Sequence, residues 1–132
     1  MGLLLLDTTV LIDAERGGLE LDRTIGDEDD VAIAAITVAE LLVGVRLADS
    51  SRHSAREQYV AAVLDSLTTI PYDAHVAAHH AELLVAVRRQ GRPRGAHDLV
   101  IAATARATGR TLLTGDRSAF ADLPGVEMTL HT

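Results

Sequence analysis

Three short runs set the terms for this chain: LLLL at 3–6, VAIAA at 31–35 and TLLT at 111–114. Each is nearly unbroken apolar and only four or five residues long, which reads as a strand covered on both faces, the pattern of a parallel sheet. Two weaker strands are expected at LTTI before Pro71 and at VEMTL near the end. The segments between have helical spacing. A helix is predicted from Thr8 through TVLIDAER to Gly17-Gly18, and a short second one over LELDRTIG, followed by a solvated acidic turn, DEDD at 27–30. Helices are predicted over TVAELLVGVRLA, SRHSAREQYVAAVLDSL, DAHVAAHHAELLVAVRRQG ending at Gly91, and GAHDLVIAATARATG closed by Gly109, with RSAF as a helical turn. Strands alternating with helices predict an α/β fold, a central parallel sheet with helices on both faces.

Length and composition narrow the function classes. At 132 residues and 48% apolar, one globular domain over 1–132 is expected. Cysteine is absent, so no disulfide framework or thiolate metal site is available. The start lacks a signal peptide's basic region, and no apolar run nears the roughly 20 residues of a membrane span. A soluble, cytoplasmic protein is the expectation. All twelve cations are arginine, which removes any mechanism that needs a lysine. Three aromatics, Tyr59, Tyr72 and Phe120, are too few for a base-stacking platform, and a net charge of −7 opposes passive binding of nucleic acid.

In open parallel sheets, sites form beyond the carboxyl ends of strands at the switch point. Asp7 ends LLLL, and Asp116 follows TLLT. Glu40 and Asp98 lie where helices begin, so all four acids are predicted at one rim of the sheet. Each has a structural alternative: Asp7 and Asp116 as helix caps, Glu40 in a capping box with Thr37, and Asp98 complementing a helix dipole. If the four carboxylates converged to about 5 Å, each pair would repel by roughly 3 kcal/mol at an effective dielectric near 20. Capping does not offset several such pairs, whereas Mg²⁺ or Mn²⁺ does, because hard cations prefer oxygen ligands.

The stretches DTTVLID, TVAELLVG, HDLVIAATA and LLTGDRSAFADLPGV, in this order and spacing, resemble the PIN-domain nucleases, in particular the VapC-type toxins of bacterial toxin–antitoxin pairs. The resemblance covers nearly the whole chain. It implies a three-layer α/β/α sandwich with a central parallel sheet and a metal-dependent endoribonuclease that uses Mg²⁺ or Mn²⁺. It also implies neutralisation by a cognate VapB-type antitoxin, with homodimers and hetero-oligomers with the antitoxin. The family's acidic quartet falls on Asp7, Glu40, Asp98 and Asp116, as catalytic residues and metal ligands, with Asp7 and Asp98 the most direct ligands. Thr8 and Thr114 match hydroxyl positions that support the site. In-line hydrolysis of RNA, leaving a 5′-phosphate and a 3′-hydroxyl, is the implied reaction.

The basic stretch RRQGRPRG precedes Asp98, and its Arg88, Arg89, Arg92 and Arg94, with Arg117 beside Asp116, are candidates for the RNA backbone. The alternative is a solvated helix end. His75 and His79 have the spacing of a zinc pair but lack a third ligand, so an exposed helix face is expected. His97 is a candidate proton-transfer partner of Asp98, Asp13 is expected on the surface of the first helix and not among the ligands, and Gly44 implies close helix packing.

Two other classes compete. An Asp7-nucleophile phosphatase of the haloacid-dehalogenase type needs a second Asp where Thr9 stands, and a receiver domain needs the missing lysine. No glycine-rich nucleotide loop follows Leu6. A non-catalytic interaction module would keep the four acids as caps and surface charge, and would let them diverge.

Overall fold

The computed structural model describes residues 2–17 and 25–131; most of the short helix expected over LELDRTIG lies outside them. The elements run β1 (Leu3–Leu6), α1 (Thr8–Glu15), β2 (Asp30–Ala34), α2 (Ala35–Leu47), α3 (His53–Ser66), β3 (Thr68–Ile70), α4 (Ala74–Gln90), α5 (Ala96–Thr108), β4 (Thr111–Thr114), α6 (Arg117–Phe120) and β5 (Met128–Leu130). The five strands form one sheet in the order β3-β2-β1-β4-β5, and every pairing is parallel.

Strand periodicity sends neighbouring residues to opposite faces, and each face has its own core. Leu5, Ala32 and Leu112 pack with Val76, Leu83 and Val87 of α4, Ile101 and Ala102 of α5, and Phe120. Leu6, Ile33 and Leu113 pack on the other side with Val10 and Leu11 of α1, Leu41 and Val45 of α2, and Val60 of α3. The result is helices, sheet, helices. Alanines on the first face, Ala32, Ala34, Ala102, Ala103 and Ala105, are completely buried, which lets α5 lie close against the sheet.

The strands hand over to helices almost without loops. Asp7 alone separates β1 from α1, β2 runs directly into α2, and Gly115-Asp116 joins β4 to α6. The carboxyl ends of β1, β2 and β4 therefore become helix starts along one edge. β1 lies between β2 and β4 and leads the chain to both, so this edge is the switch point.

Two expectations are corrected here, and one alternative is ruled out. The acidic run is only half a solvated turn. Asp29 accepts the Gly2 and Gly26 amides, both at 2.8 Å, and Asp30 opens β2 with its carboxylate 3.0 Å from Arg110. The capping box is absent: α2 begins at Ala35, two residues before Thr37, with no side-chain cap, because β2 feeds straight into it. Thr37 is fully buried, and Glu40 sits in the second turn. Close packing does not explain Gly44 either. A Cβ there would meet only the Arg56 side chain, at 3.8 Å, an ordinary contact. Gly44→Ala is therefore expected to raise stability by about 0.5–1 kcal/mol, since glycine weakens a helix interior by that amount; a thermal melt or urea titration checks it, and a fall in stability would show that the Arg56 contact does not relax.

Candidate active site

Asp7 is the buried acid of the site, only 3% exposed. As N-cap of α1 it accepts the Thr8 amide at Oδ1, at 2.8 Å. Its other oxygen, Oδ2, accepts two hydroxyls, Thr9 Oγ1 and Thr114 Oγ1, each at 2.8 Å. Those hydroxyls are themselves acceptors: the Gly115 amide donates to Thr9 Oγ1 at 3.1 Å, and the Asp116 amide to Thr114 Oγ1 at 3.0 Å. An amide can only donate, so each hydroxyl turns its own proton to Asp7. Two donors converging on Oδ2 leave it no room for a proton, which favours the carboxylate form. Burial acts the other way and dominates. It pushes the Asp7 carboxyl up from its ordinary 3.8, the bonds from Thr114, Thr9 and Thr8 restrain the rise, and the charge of Glu40 adds to it.

The remaining acids stand around this anchor. Glu40 is held from α1, where Thr8 Oγ1 donates to its Oε1 at 2.7 Å, and its Oε2 lies 3.5 Å from His97 Nδ1. Asp116 caps α6, accepting the Ala119 amide at 3.3 Å and the Ser118 hydroxyl at 2.7 Å. Asp98, in the first turn of α5, is different: it caps nothing, and its N-cap Gly95 offers no side chain. Burial pushes its carboxyl up, and the charges of Asp7, Glu40 and Asp116 push the same way against the pull of His97. The four predicted acids thus share one electrostatic field.

Donor chemistry and charge fit a hard divalent cation: four carboxylates, with raised proton affinity at Asp7 and Asp98. In the positions they occupy, no three His, Asp or Glu side chains among the described residues stand close enough to hold an ion. The set is assembled electrostatically, and a coordination shell would need it to draw in.

This edge, with its acid after β1 and its T-G-D turn after β4, belongs to a known family. The PIN domain profile matches residues 4–126. The chain belongs to the PIN-domain family. It is 34% identical to Ribonuclease VapC5 of Mycobacterium tuberculosis, over 91% of this chain and 87% of that protein. The structure of VapBC-5 from Mycobacterium tuberculosis, a member of the VapBC family of toxin–antitoxin systems, superposes with a TM-score of 0.82 at 29% identity, covering 99% and 100% of the two chains. VapBC2 from Rickettsia felis, solved with a DNA fragment from its promoter, superposes with a TM-score of 0.89 over 98% and 99% of the chains at 22% identity, a likeness of fold. The three-layer sandwich that the resemblance implied is the fold of these PIN-domain neighbours.

Thr8 donates to Glu40 and Thr114 to Asp7, at 2.7 and 2.8 Å. Thr9 was missed as a site residue, although the doubled threonine after Asp7 was its signal. Asp13 borders the site, since a Cβ at Gly115 would stand 3.5 Å from both its Oδ2 and Thr9 Oγ1. Among the arginines, Arg88, Arg89 and Arg117 are exposed, Arg92 pairs with Asp122 at 3.2 Å, and Arg94 is engaged, donating to the Arg92 and Ala121 carbonyls at 2.8 and 2.6 Å. His75 and His79 meet edge-on with ring centres 4.9 Å apart, and His75 Nε2 lies 3.1 Å from the Ala107 carbonyl oxygen. His75 is exposed as expected, whereas His79 is half-buried.

The raised carboxyls have a thermodynamic sign. In the window above 3.8 the folded chain binds protons at Asp7 and Asp98 that the unfolded chain has released. This stabilisation is complete below 3.8 and is lost as pH rises through the folded values, so at neutral pH both charges oppose folding. Asp98→Asn, which keeps the shape and removes the charge, is expected to melt above wild type at pH 7 and to converge with it towards pH 4. Equal melting temperatures at pH 7 would contradict the shared field.

Proposed function

We propose that this PIN-domain chain is the ribonuclease toxin of a toxin–antitoxin pair, a metal-dependent endoribonuclease that hydrolyses RNA phosphodiester bonds at Asp7, Glu40, Asp98 and Asp116. The observation that carries the reading is Asp98: a half-buried carboxylate that caps nothing, on a rim that already bears three other acids. The ribonuclease names and toxin–antitoxin structures of its relatives support the same reading.

The chain's own residues have distinct tasks in this scheme. Asp7 offers Oδ1, since both acceptor positions on Oδ2 are taken by threonines. Thr8 aims Glu40, and Thr114 ties the Asp7 carboxylate to the backbone that carries Asp116. Asp98 supplies the acid left without a hydrogen-bond role in the fold. Mg²⁺ or Mn²⁺ bound among them would neutralise these charges, hold the scissile phosphate and lower the pKa of an attacking water. Arg88 and Arg89, at the end of α4, and Arg117 in α6 present charge to the RNA backbone, with Arg92 at the margin and Arg94 serving the loop behind them. The cognate partner is a VapB-type antitoxin. The apolar residues that α2 leaves exposed, Leu42, Val43 and Leu47 (81% exposed), are one surface for it or for a second copy of the chain.

A non-catalytic interaction module is the second reading. The capping bonds of Asp7 and Asp116, and the lack of a closed chelate, favour it; it leaves the charge on Asp98 without a purpose.

The antitoxin-free protein incubated with total RNA and Mg²⁺ or Mn²⁺ tests the reading. Cleavage is expected to disappear in EDTA and to fall by about 100-fold or more in Asp98→Asn, as for loss of a group that acts on the transition state. Asp98→Asn is the cleaner variant, because Asp7→Asn would set an amide NH₂ among donors. Cleavage that persists in EDTA, or that is unchanged in Asp98→Asn, would refute the metal-dependent reading.

A further inference from the structure

Gly95 stands at the N-cap of α5, a position where Ser, Asp and Asn are preferred because the side chain satisfies an orphan amide, and where Gly ranks with Thr. Its backbone angles, φ −60° and ψ 141°, are open to any residue. Neither capping nor conformation calls for glycine here. The surroundings do. A Cβ at position 95 would stand 2.7 Å from Asp98 Oδ2 and 3.3 Å from Asp98 Cγ. The first distance is too short for a carbon–oxygen contact, so something would have to move.

The backbone is the less free of the two. Next to Gly95, the Arg94 guanidinium is bonded to the Ala121 carbonyl at 2.6 Å, across to the loop that follows α6. The Gly95 carbonyl itself accepts the Leu99 amide at 3.1 Å, the first turn of α5. The Asp98 carboxylate is the end of a short rotatable side chain that makes no capping bond. Adding a Cβ therefore turns the carboxylate rather than the chain.

We propose that Gly95 is a positioning residue for the RNA-cleaving site: its bare backbone is the wall of the slot that keeps the Asp98 carboxylate facing Asp7, Glu40 and Asp116. The claim rests on the nuclease reading for its consequence, and on the contact between Gly95 and Asp98 for its geometry. Displacing a reacting group by about 1 Å is enough to cost about 100-fold in rate. The fold, by contrast, would take Ser, Asp or Asn at this N-cap at least as well as glycine.

Two variants separate these roles. Gly95→Ala exchanges a tolerated N-cap residue for a poor one and is expected to melt slightly below wild type, while kcat for RNA cleavage falls by about 10–100-fold with KM little changed. Gly95→Ser adds a favourable N-cap and is expected to melt higher than wild type while losing activity to the same extent. Stability and activity then move in opposite directions, which a purely structural glycine would not produce. The side-chain carboxyl resonance of Asp98, or a crystal structure of Gly95→Ala, reads the displacement without reference to cleavage. Full activity in both variants, an unmoved Asp98, or a Gly95→Ala protein that fails to fold would each overturn the proposal. If the wild-type protein cleaves no RNA, the nuclease reading fails, and the Asp98 displacement alone decides the claim about Gly95.

Discussion

A carboxylate buried at the end of a core strand is normally an unstable arrangement, and in this molecule it is the point from which the rim is organised. Asp7 is tolerated because the chain surrounds it with donors: the amide that opens α1 and two threonine hydroxyls, each locked in direction by an amide of the T-G-D turn. A buried charge is accepted when its lone pairs are filled. Here the groups that fill them also join the loop after β1 to the loop after β4, so the bonds that stabilise Asp7 set the place of Asp116. Without these hydroxyls the two central strands would still pair, but the acids at their ends would lose their common frame.

The fold delivers the other two acids by a different route. The direct passage from β2 into α2 swings Glu40 to the Thr8 hydroxyl, and the close seat of α5 on an alanine-lined sheet brings the start of that helix, with Asp98, to the same edge. Both devices are matters of packing, and neither relieves the repulsion they create. The burial and like charges that raise Asp7 and Asp98 oppose folding at neutral pH, as expected where a site is kept at the expense of stability. The ribonuclease activity proposed for this PIN-domain chain would give that arrangement a use.

Much of this could be read from the order of residues. LLLL, VAIAA and TLLT became strands to within a residue, the long helices ended at Gly91 and Gly109 in the left-handed conformation, and the four acids came to one rim. These successes rest on local periodicity and on the rule for parallel sheets. The failures have a common physical origin in contacts between distant segments. The Thr37-to-Glu40 spacing left a capping box open as an alternative because nothing local reveals that β2 runs straight into a helix, leaving Glu40 to bond with Thr8 instead. Thr9 gained no role because its second partner, Gly115, is 106 residues away. Nor does anything local show that the Arg94 guanidinium donates to the Ala121 carbonyl, 27 residues away. Gly95 carried no turn or positive-φ signal, since the demand for glycine comes from Asp98.

We propose that the four carboxylates act as one cation-binding centre, although among the described residues no three of them stand close enough to hold an ion. Mn²⁺ binding to the antitoxin-free protein, followed by calorimetry or electron paramagnetic resonance, reads this without involving RNA. Saturable binding in the wild type, weakened about 10-fold or more by Asp98→Asn and similarly by Glu40→Gln, is the predicted result. Binding of equal strength in all three proteins, or none in any of them, would contradict it.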